Sequence, residues 1–214
     1  MIEIVIPTMW KSEKIFEMIH RYIGNPNIYR VHLIDNTSEY HIYYPTGINS
    51  NKVKVYSFKE NTFVNPAWNF GVSKCKEDSI ICLANDDIEF DTEIFEFIIN
   101  HKSELGIIGM DKDNYDINNI NKKEINNMNN HEYGWGCLIF ILKKDWVNIP
   151  NTLKVFYGDS FMFHNIKILC KKLSGFFIDT NMSTTSSSPF VMDIHKSDID
   201  NWELIGNKSC LNLS

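Results

Sequence analysis

The sequence predicts an α/β fold: a single domain whose mostly parallel central sheet is flanked by helices. Three observations carry that prediction. Within Ser79 to Phe90 (SIICLANDDIEF), Ile80 to Ala84 is a continuous apolar run, too short for a helix core and suited to a strand buried on both faces. Earlier, Glu3 to Ile6, a helical repeat from Ile15 to Ile23, and Val31 to Ile34 follow one another as strand, helix and strand. That βαβ order requires a right-handed crossover and a parallel sheet. Finally, 214 residues that are 43% hydrophobic and 13% aromatic suffice for one full-sized packed domain.

In chain order, the first strand stops at Pro7-Thr8, because Pro cannot continue a central ladder. Ser12 offers an N-cap for a helix in which Ile15, Phe16, Ile19, Tyr22 and Ile23 recur at helical spacing until Gly24. The second strand ends on Asp35-Asn36. Residues 37–51 read as a loop around Pro45 and Gly47, before a strand at Val53 to Phe58. Asn65-Pro66 predicts a helix start, with Asn as cap and Pro at the first helical position, and this helix carries Trp68 and Asn69 into the central strand. Thr92 caps a helix with Ile94, Phe95, Phe97 and Ile98 on its apolar side, and a short strand follows at Gly106 to Met110.

From Asp111 to Glu132 the composition turns to Asn, Asp, Lys and Ile, which predicts a long irregular segment, mobile and at the rim of a site. Cys137 to Leu142 is the next predicted strand, and Asp145-Trp146 begins a short helical piece before Pro150. Tyr157-Gly158-Asp159 leads into a helix with Phe161, Met162, Ile166, Leu169 and Cys170 inward. A last strand is expected at Gly175 to Ile178, a polar loop at Ser183 to Ser188, and a terminal helix at Asp198 to Ile205. Nothing in the sequence marks a linker or an internal repeat.

Composition narrows the function classes. A formal charge of −6 and a pI near 5.6 argue against general nucleic-acid binding, which needs a basic face. The five cysteines include no C-x-x-C pair and several lie in apolar stretches, which predicts reduced thiols in a cytoplasmic protein. No signal peptide is recognisable at Met1, and no apolar run approaches the roughly 18 residues of a membrane span.

Three predicted strands end in polar turns: Pro7-Thr8, Asp35-Asn36 and Asn85-Asp86-Asp87. In an open parallel sheet, ligands bind at the carboxyl ends of the strands near a topological switch point. Adjacent carboxylates there repel unless protons or a cation relieve them, and Mg²⁺ and Mn²⁺ prefer such oxygens. A solvated Asn-Asp-Asp turn is the competing reading. Neither G-x-G-x-x-G nor G-x-x-x-x-G-K-[ST] occurs, so any diphosphate would rely on a metal.

The stretches IEIVIPT, HLIDNTS and NPAWNFGVSKCKEDSIICLANDDIEFD resemble the nucleotide-sugar half of a GT-A glycosyltransferase of the family 2 type, a Rossmann-like fold. The resemblance implies a donor site from Pro7, Thr8, Asp35, Asn36, Asn65, Asn69, Asn85 and Asp86, with Asp35 accepting from the uracil imide. Asn85-Asp86-Asp87 stands in place of the family's Asp-x-Asp motif, with Asn for its first Asp. That substitution leaves Asp87 as the surest metal ligand, helped by Asp86. Tyr133-Gly134-Trp135-Gly136 resembles the Gly-containing acceptor-side stretch, which adds Trp135 and Gly136 to the expected site. Gly158-Asp159 stands where the family carries its catalytic acid. The resemblance covers roughly 160 residues, strong over the first 91 and weaker beyond; it implies a single domain 1–214 with a nucleotide-sugar half, 1–91, and an acceptor half, 92–214. The compact size is similar to the short glycosyltransferase domains of large DNA viruses of algae, one of which glycosylates a capsid protein. That likeness implies a host-cytoplasm setting and allows the chain to be one domain of a longer protein.

The implied activity is a metal-dependent inverting transfer from a UDP-sugar to a hydroxyl of a glycan or glycoprotein, with Mn²⁺ or Mg²⁺. Asp159 would be the base; a helix N-cap is its competing role. His195 is a further metal ligand by the same resemblance, or an exposed structural histidine. Two rival functions are a non-catalytic nucleotide-sugar or glycan-binding module and a sugar nucleotidyltransferase. The latter expects a Gly-rich, Arg/Lys-bearing loop after the first strand, which Thr8-Met9-Trp10-Lys11-Ser12 does not supply.

Overall fold

The computed structural model describes residues 1–38, 50–180 and 189–211. Most of the expected loop at 37–51, and all of that at Ser183 to Ser188, lie outside the described residues. The strands are β1 (Ile2–Thr8), β2 (Ile28–Asp35), β3 (Val53–Ser57), β4 (Ile80–Ala84), β5 (Ile88–Phe90), β6 (Ile107–Met110), β7 (Glu124–Asn127), β8 (Leu138–Leu142), β9 (Cys170–Ser174) and β10 (Ile178–Thr180). The helices are α1 (Lys14–Gly24), α2 (Val64–Ser73), α3 (Glu93–Asn100), α4 (Gly158–Asn165) and α5 (Pro189–Leu211).

One eight-stranded sheet runs β3-β2-β1-β4-β8-β6-β9-β7, and β5 pairs with β10 in a separate antiparallel ribbon. The first four strands are parallel throughout. Beyond β4 the sheet is mixed: β8 is antiparallel to β4 and β6, β9 parallel to β6, and β7 antiparallel to β9. Every residue of β1 is buried because both sheet faces are covered. Ile4 and Ile6 share one core with Ile15 and Ile19 of α1 and Phe95 of α3. Val5 and Leu83 pack on the other face against Ala67, Trp68 and Val72 of α2. Each such aliphatic side chain contributes about 1.5–3 kcal/mol when fully buried. Gly71 lets α2 approach β1 this closely, since a Cβ there would sit 2.2 Å from a Val5 methyl.

Pro7 does not end β1, which runs through it to Thr8. Asn36 N donates to Thr8 O on the β2 side, so strand alternation turns the missing Pro7 N–H toward β4. There the last aligned pair is already Val5 with Leu83, and no ladder bond is lost.

Elsewhere the sequence-based boundaries move. Helix α2 starts at Val64 after Phe63, whose φ of 65° makes the turn, so Asn65 lies inside the helix and is not its cap. Glu13, not Ser12, holds the N-cap position of α1 and Thr92 that of α3, and neither side chain accepts a capping hydrogen bond. Helix α4 ends at Asn165, leaving Leu169 exposed and Cys170 as the first residue of β9. The apolar residues 166–170 were expected to continue the helix, but their burial alternates as a strand edge does. Residues 111–132 are structured where an irregular loop was expected. Asp111 and Asp116 cap two 3₁₀ turns by accepting from Asp113 N and Asn118 N, and β7 forms the sheet edge. Helix α5 begins at Pro189, nine residues before the expected start at Asp198.

Candidate active site

Strands β1 and β4 are neighbours where the strand order reverses, and their carboxyl ends border a cavity of about 160 Å³. Pro7, Thr8, Asn36, Asp86 and Asp87 line it from the parallel half of the sheet; Val155, Val191 and Ile194 close the other wall. Thr8 Oγ1 donates to Asp86 Oδ2 at 2.7 Å and accepts from Trp10 N at 2.8 Å. Trp10 takes a left-handed backbone, φ 58°, that turns its indole back to donate to Asp35 Oδ1 at 2.9 Å. Asn36 Oδ1 is engaged by Thr62 N and Thr62 Oγ1.

Asp35, expected to meet the nucleobase, is wholly buried and does not line the cavity. Burial acts to raise its carboxyl, but donors from Thr37, Ser57 and Trp10 outweigh that and hold it below its ordinary value. The opposite holds one strand away. Burial, with the neighbouring Asp87 adding to it, pushes Asp86 up to about 6 against the Thr8 bond. Asp87 is also raised, chiefly by burial, with Lys14 opposing. Lys14 Nζ is itself shared with Asp179 at 2.9 Å. Two adjacent strand-end acids that resist ionisation are what a bound divalent cation relieves, so the residues present fit such an ion. Asn85 donates its backbone N–H to Cys137 O and does not line the cavity.

A different trio also has metal-ligand spacing. Glu3, His32 and Cys75 place one ligand atom each within 4.8 Å of one another, fully buried near the amino end of β1 and away from the cavity. Its polar atoms have protein partners. Glu3 Oε1 accepts from Lys76 N (2.8 Å) and Ser79 Oγ (2.5 Å), Glu3 Oε2 meets His32 Nε2 at 2.9 Å, and His32 Nδ1 meets Tyr56 OH at 3.3 Å. Burial alone would raise Glu3, yet these bonds hold it down at about 2.

Asp159, expected to be the base, is the second residue of α4 and is not among the cavity residues. The N-cap position belongs to Tyr157, left-handed at φ 62°, so Asp159 is not the cap. Its Oδ1 accepts from Ser160 N at 2.8 Å, and its Oδ2 lies 3.1 Å from His131 Nε2. Gly136 makes room for it, since a Cβ there would sit 2.7 Å from Asp159 Oδ2. Burial pushes the Cys137 thiol up to about 11, opposed by the Tyr115 hydrogen bond, and Asp87 and Asp159 both add to the rise.

Four expected site residues do other work. Asn65 Nδ2 donates to Leu153 O and Phe156 O, and Asn69 pairs with both backbone groups of Ile149. Trp135 is fully buried, donates to Lys171 O at 2.8 Å and presses on Gly109, which leaves no ring face for a sugar. His195 is exposed on α5, its ring against Phe156 and Tyr157, and is not among the cavity residues.

Two residues were not singled out in the sequence. His131 lies in an Asn-rich stretch with nothing local to mark it. Asp198 is wholly buried, and its carboxylate accepts from the backbone N–H groups of Lys154, Val155 and Phe156 at 2.9 Å each. It fastens α5 to the cavity wall and to the segment leading into Asp159. Only its position on the inward side of a helix could have hinted at this.

No protein-family profile matches the chain, and no curated protein matches it in sequence. Solved structures do match. S. aureus TarS, residues 1–349 in complex with UDP, matches with a TM-score of 0.60 at 13% identity, over 82% of this chain and 59% of that one. GalNAc-T7 with UDP, GalNAc and Mn²⁺ matches with 0.61 at 12% identity, over 84% of this chain and 43% of the other. This chain thus spans just over half of one and under half of the other. At such identities the likeness speaks for the fold: a mixed central sheet between helices, matching that of the GT-A glycosyltransferases.

Proposed function

We propose that this chain is a metal-dependent glycosyltransferase that moves a sugar, with inversion, from a UDP-sugar to a hydroxyl of a glycan or glycoprotein. The observation that carries this reading is the gathering of Asp86, Asp87, Thr8 and Asn36 around one cavity at the carboxyl ends of β1 and β4. Its fold is shared with proteins solved with UDP, one of them also with Mn²⁺. Among the described residues no helix is long and apolar enough to cross a membrane. Four of the five cysteines, Cys75, Cys82, Cys137 and Cys170, are free and buried among the described residues, which supports a cytoplasmic setting.

Asp87, with Asp86 beside it, would hold Mn²⁺ or Mg²⁺, and the bound ion supplies positive charge for the departing diphosphate. Thr8 fixes the Asp86 carboxylate through its 2.7 Å bond. Asn36 presents its amide N–H groups to the nucleotide, its Oδ1 being engaged by Thr62. Asp35 acts from behind, ordering Trp10 and Thr37 around the strand end. Asp159 takes the acceptor's hydroxyl proton as that oxygen bonds to the anomeric carbon and the bond to the diphosphate breaks. Asn65, Asn69 and Asp198 hold the wall between the two sides.

Release of UDP from UDP-glucose, UDP-galactose and UDP-GlcNAc, with Mn²⁺ and with EDTA, tests the proposal. Turnover of one donor only with the metal is expected. Binding without release assigns a non-catalytic module, and equal release in EDTA removes the metal.

A further inference from the structure

We propose that His131 is a positioning residue for Asp159, clamping the carboxylate in the orientation from which it accepts the proton. This rests on the reading of Asp159 as the base. His131 Nε2 lies 3.1 Å from Asp159 Oδ2, and Ser160 N holds Oδ1 at 2.8 Å, so each oxygen has one fixed partner. The histidine ring is itself clamped. Trp135 and Phe163 meet it edge to face, each with centroids 5.6 Å away. Trp135 is anchored in turn by full burial and its bond to Lys171 O. Gly136 bounds the third side of the carboxylate, leaving its remaining lone pairs for the incoming hydroxyl. Both side chains are about a quarter exposed, 23% and 27%, so the pair adds little stability as an ion pair and stays open to solvent.

With its Nε2 carrying a proton, His131 donates to Asp159 Oδ2 and keeps that carboxylate pointed at one place. The proton removed from the acceptor stays on Asp159, and His131 keeps its own. A base loosened by an ångström loses on the order of a hundredfold in rate.

The test measures UDP release, with water as acceptor, from whichever of UDP-glucose, UDP-galactose and UDP-GlcNAc turns over fastest in Mn²⁺. His131→Phe keeps an aromatic ring between Trp135 and Phe163 and removes the N–H. We expect kcat to fall about 10- to 100-fold with KM for the donor within about twofold. His131→Gln, whose amide N–H reaches the place of Nε2, restores kcat to within a few-fold of wild type. In the double variant with Asp159→Asn, His131→Phe costs nothing further. Thermal melts identify a variant that fails to fold, in which case the glutamine variant and the double variant carry the test. Wild-type kcat in a folded His131→Phe variant overturns the proposal, as does a loss that appears only in KM. If Asp159→Asn is slow and His131→Phe is not, only His131 is misassigned. If Asp159→Asn keeps wild-type turnover, or no donor releases UDP, the proposed function fails and this inference falls with it.

Discussion

The two halves of the eight-stranded sheet are held in place by different forces. In β3-β2-β1-β4 the strands are parallel throughout, and the two at its centre, β1 and β4, are buried along their whole length between helices. In β8-β6-β9-β7 the pairing alternates in direction and skips in order. Buried polar side chains tie down the segments around it: Asn114 Nδ2 donates to Leu173 O at 2.7 Å, and Ser174 Oγ donates to Asp111 Oδ2 at 3.0 Å. The first half therefore offers a rigid platform with its strand ends free for a ligand. The second half builds its side of the site from loops, each depending on a few specific bonds. The proposed function gives the donor contacts to the first half and the base to the second, so on that reading variants in the two should separate affinity from turnover.

Asp159→Asn is the strongest way to break that division. Asn keeps the side-chain shape and removes the base, so turnover should fall by about 10² to 10⁴. UDP affinity by titration calorimetry should stay within about twofold of wild type. A parallel loss of affinity would mean that both halves bind the donor.

Next in size is Glu3, at the end of β1 remote from the cavity. Its folded-state value of about 2 lies below the ordinary 4.5, so it stabilises the fold above pH 4.5 and that stability is lost as pH falls toward 2. The contribution is about 3 kcal/mol near neutral pH. Glu3→Gln should lose much of it in urea unfolding at pH 7 and show a flatter acid limb, with UDP affinity unchanged relative to folded protein. An acid limb as steep as wild type would place the titrating group elsewhere.

Asp198→Ala leaves three backbone N–H groups of the cavity wall without their acceptor, at a cost of about 2 kcal/mol. It sharpens the comparison because it loosens the wall shared by both sides: the melting temperature and turnover should drop together. Full turnover in a destabilised variant would separate α5 from the site. The smallest expected change is Asn69→Ala, about 1 kcal/mol of stability with donor affinity intact, because its amide serves the Ile149 backbone and the Asn151 side chain rather than the cavity. A marked loss of UDP affinity would return Asn69 to the donor site.

The same contrast explains what the sequence could reveal. Ile80–Ala84 and its polar end were legible because a buried parallel strand must be apolar along its length and must stop where the ligand site begins. The position of Asp86 just beyond that strand followed from it, whereas the end of β1 did not lie at Pro7 as expected. Asn65, Asn114 and Asp198 were not legible, because Asn and Asp have the same local signature in a solvated turn as in a buried crosslink. Which one they form is decided by a partner far away in sequence, 88 residues from Asn65 to Leu153 O and 44 from Asp198 to Lys154 N. Asp35 shows the reverse error: its strand-end position pointed to a ligand, and its donors turned out to be Trp10, Thr37 and Ser57.

The donor platform itself is tested most directly by titrating UDP into wild type and Asp87→Ala, each in Mn²⁺ and in EDTA. The Asp86–Asp87 pair predicts tight binding only for wild type with the metal, and weak, equal binding in the other three conditions. Affinity in EDTA equal to that in Mn²⁺, in a folded wild-type protein, would contradict a metal-held diphosphate at the end of β4.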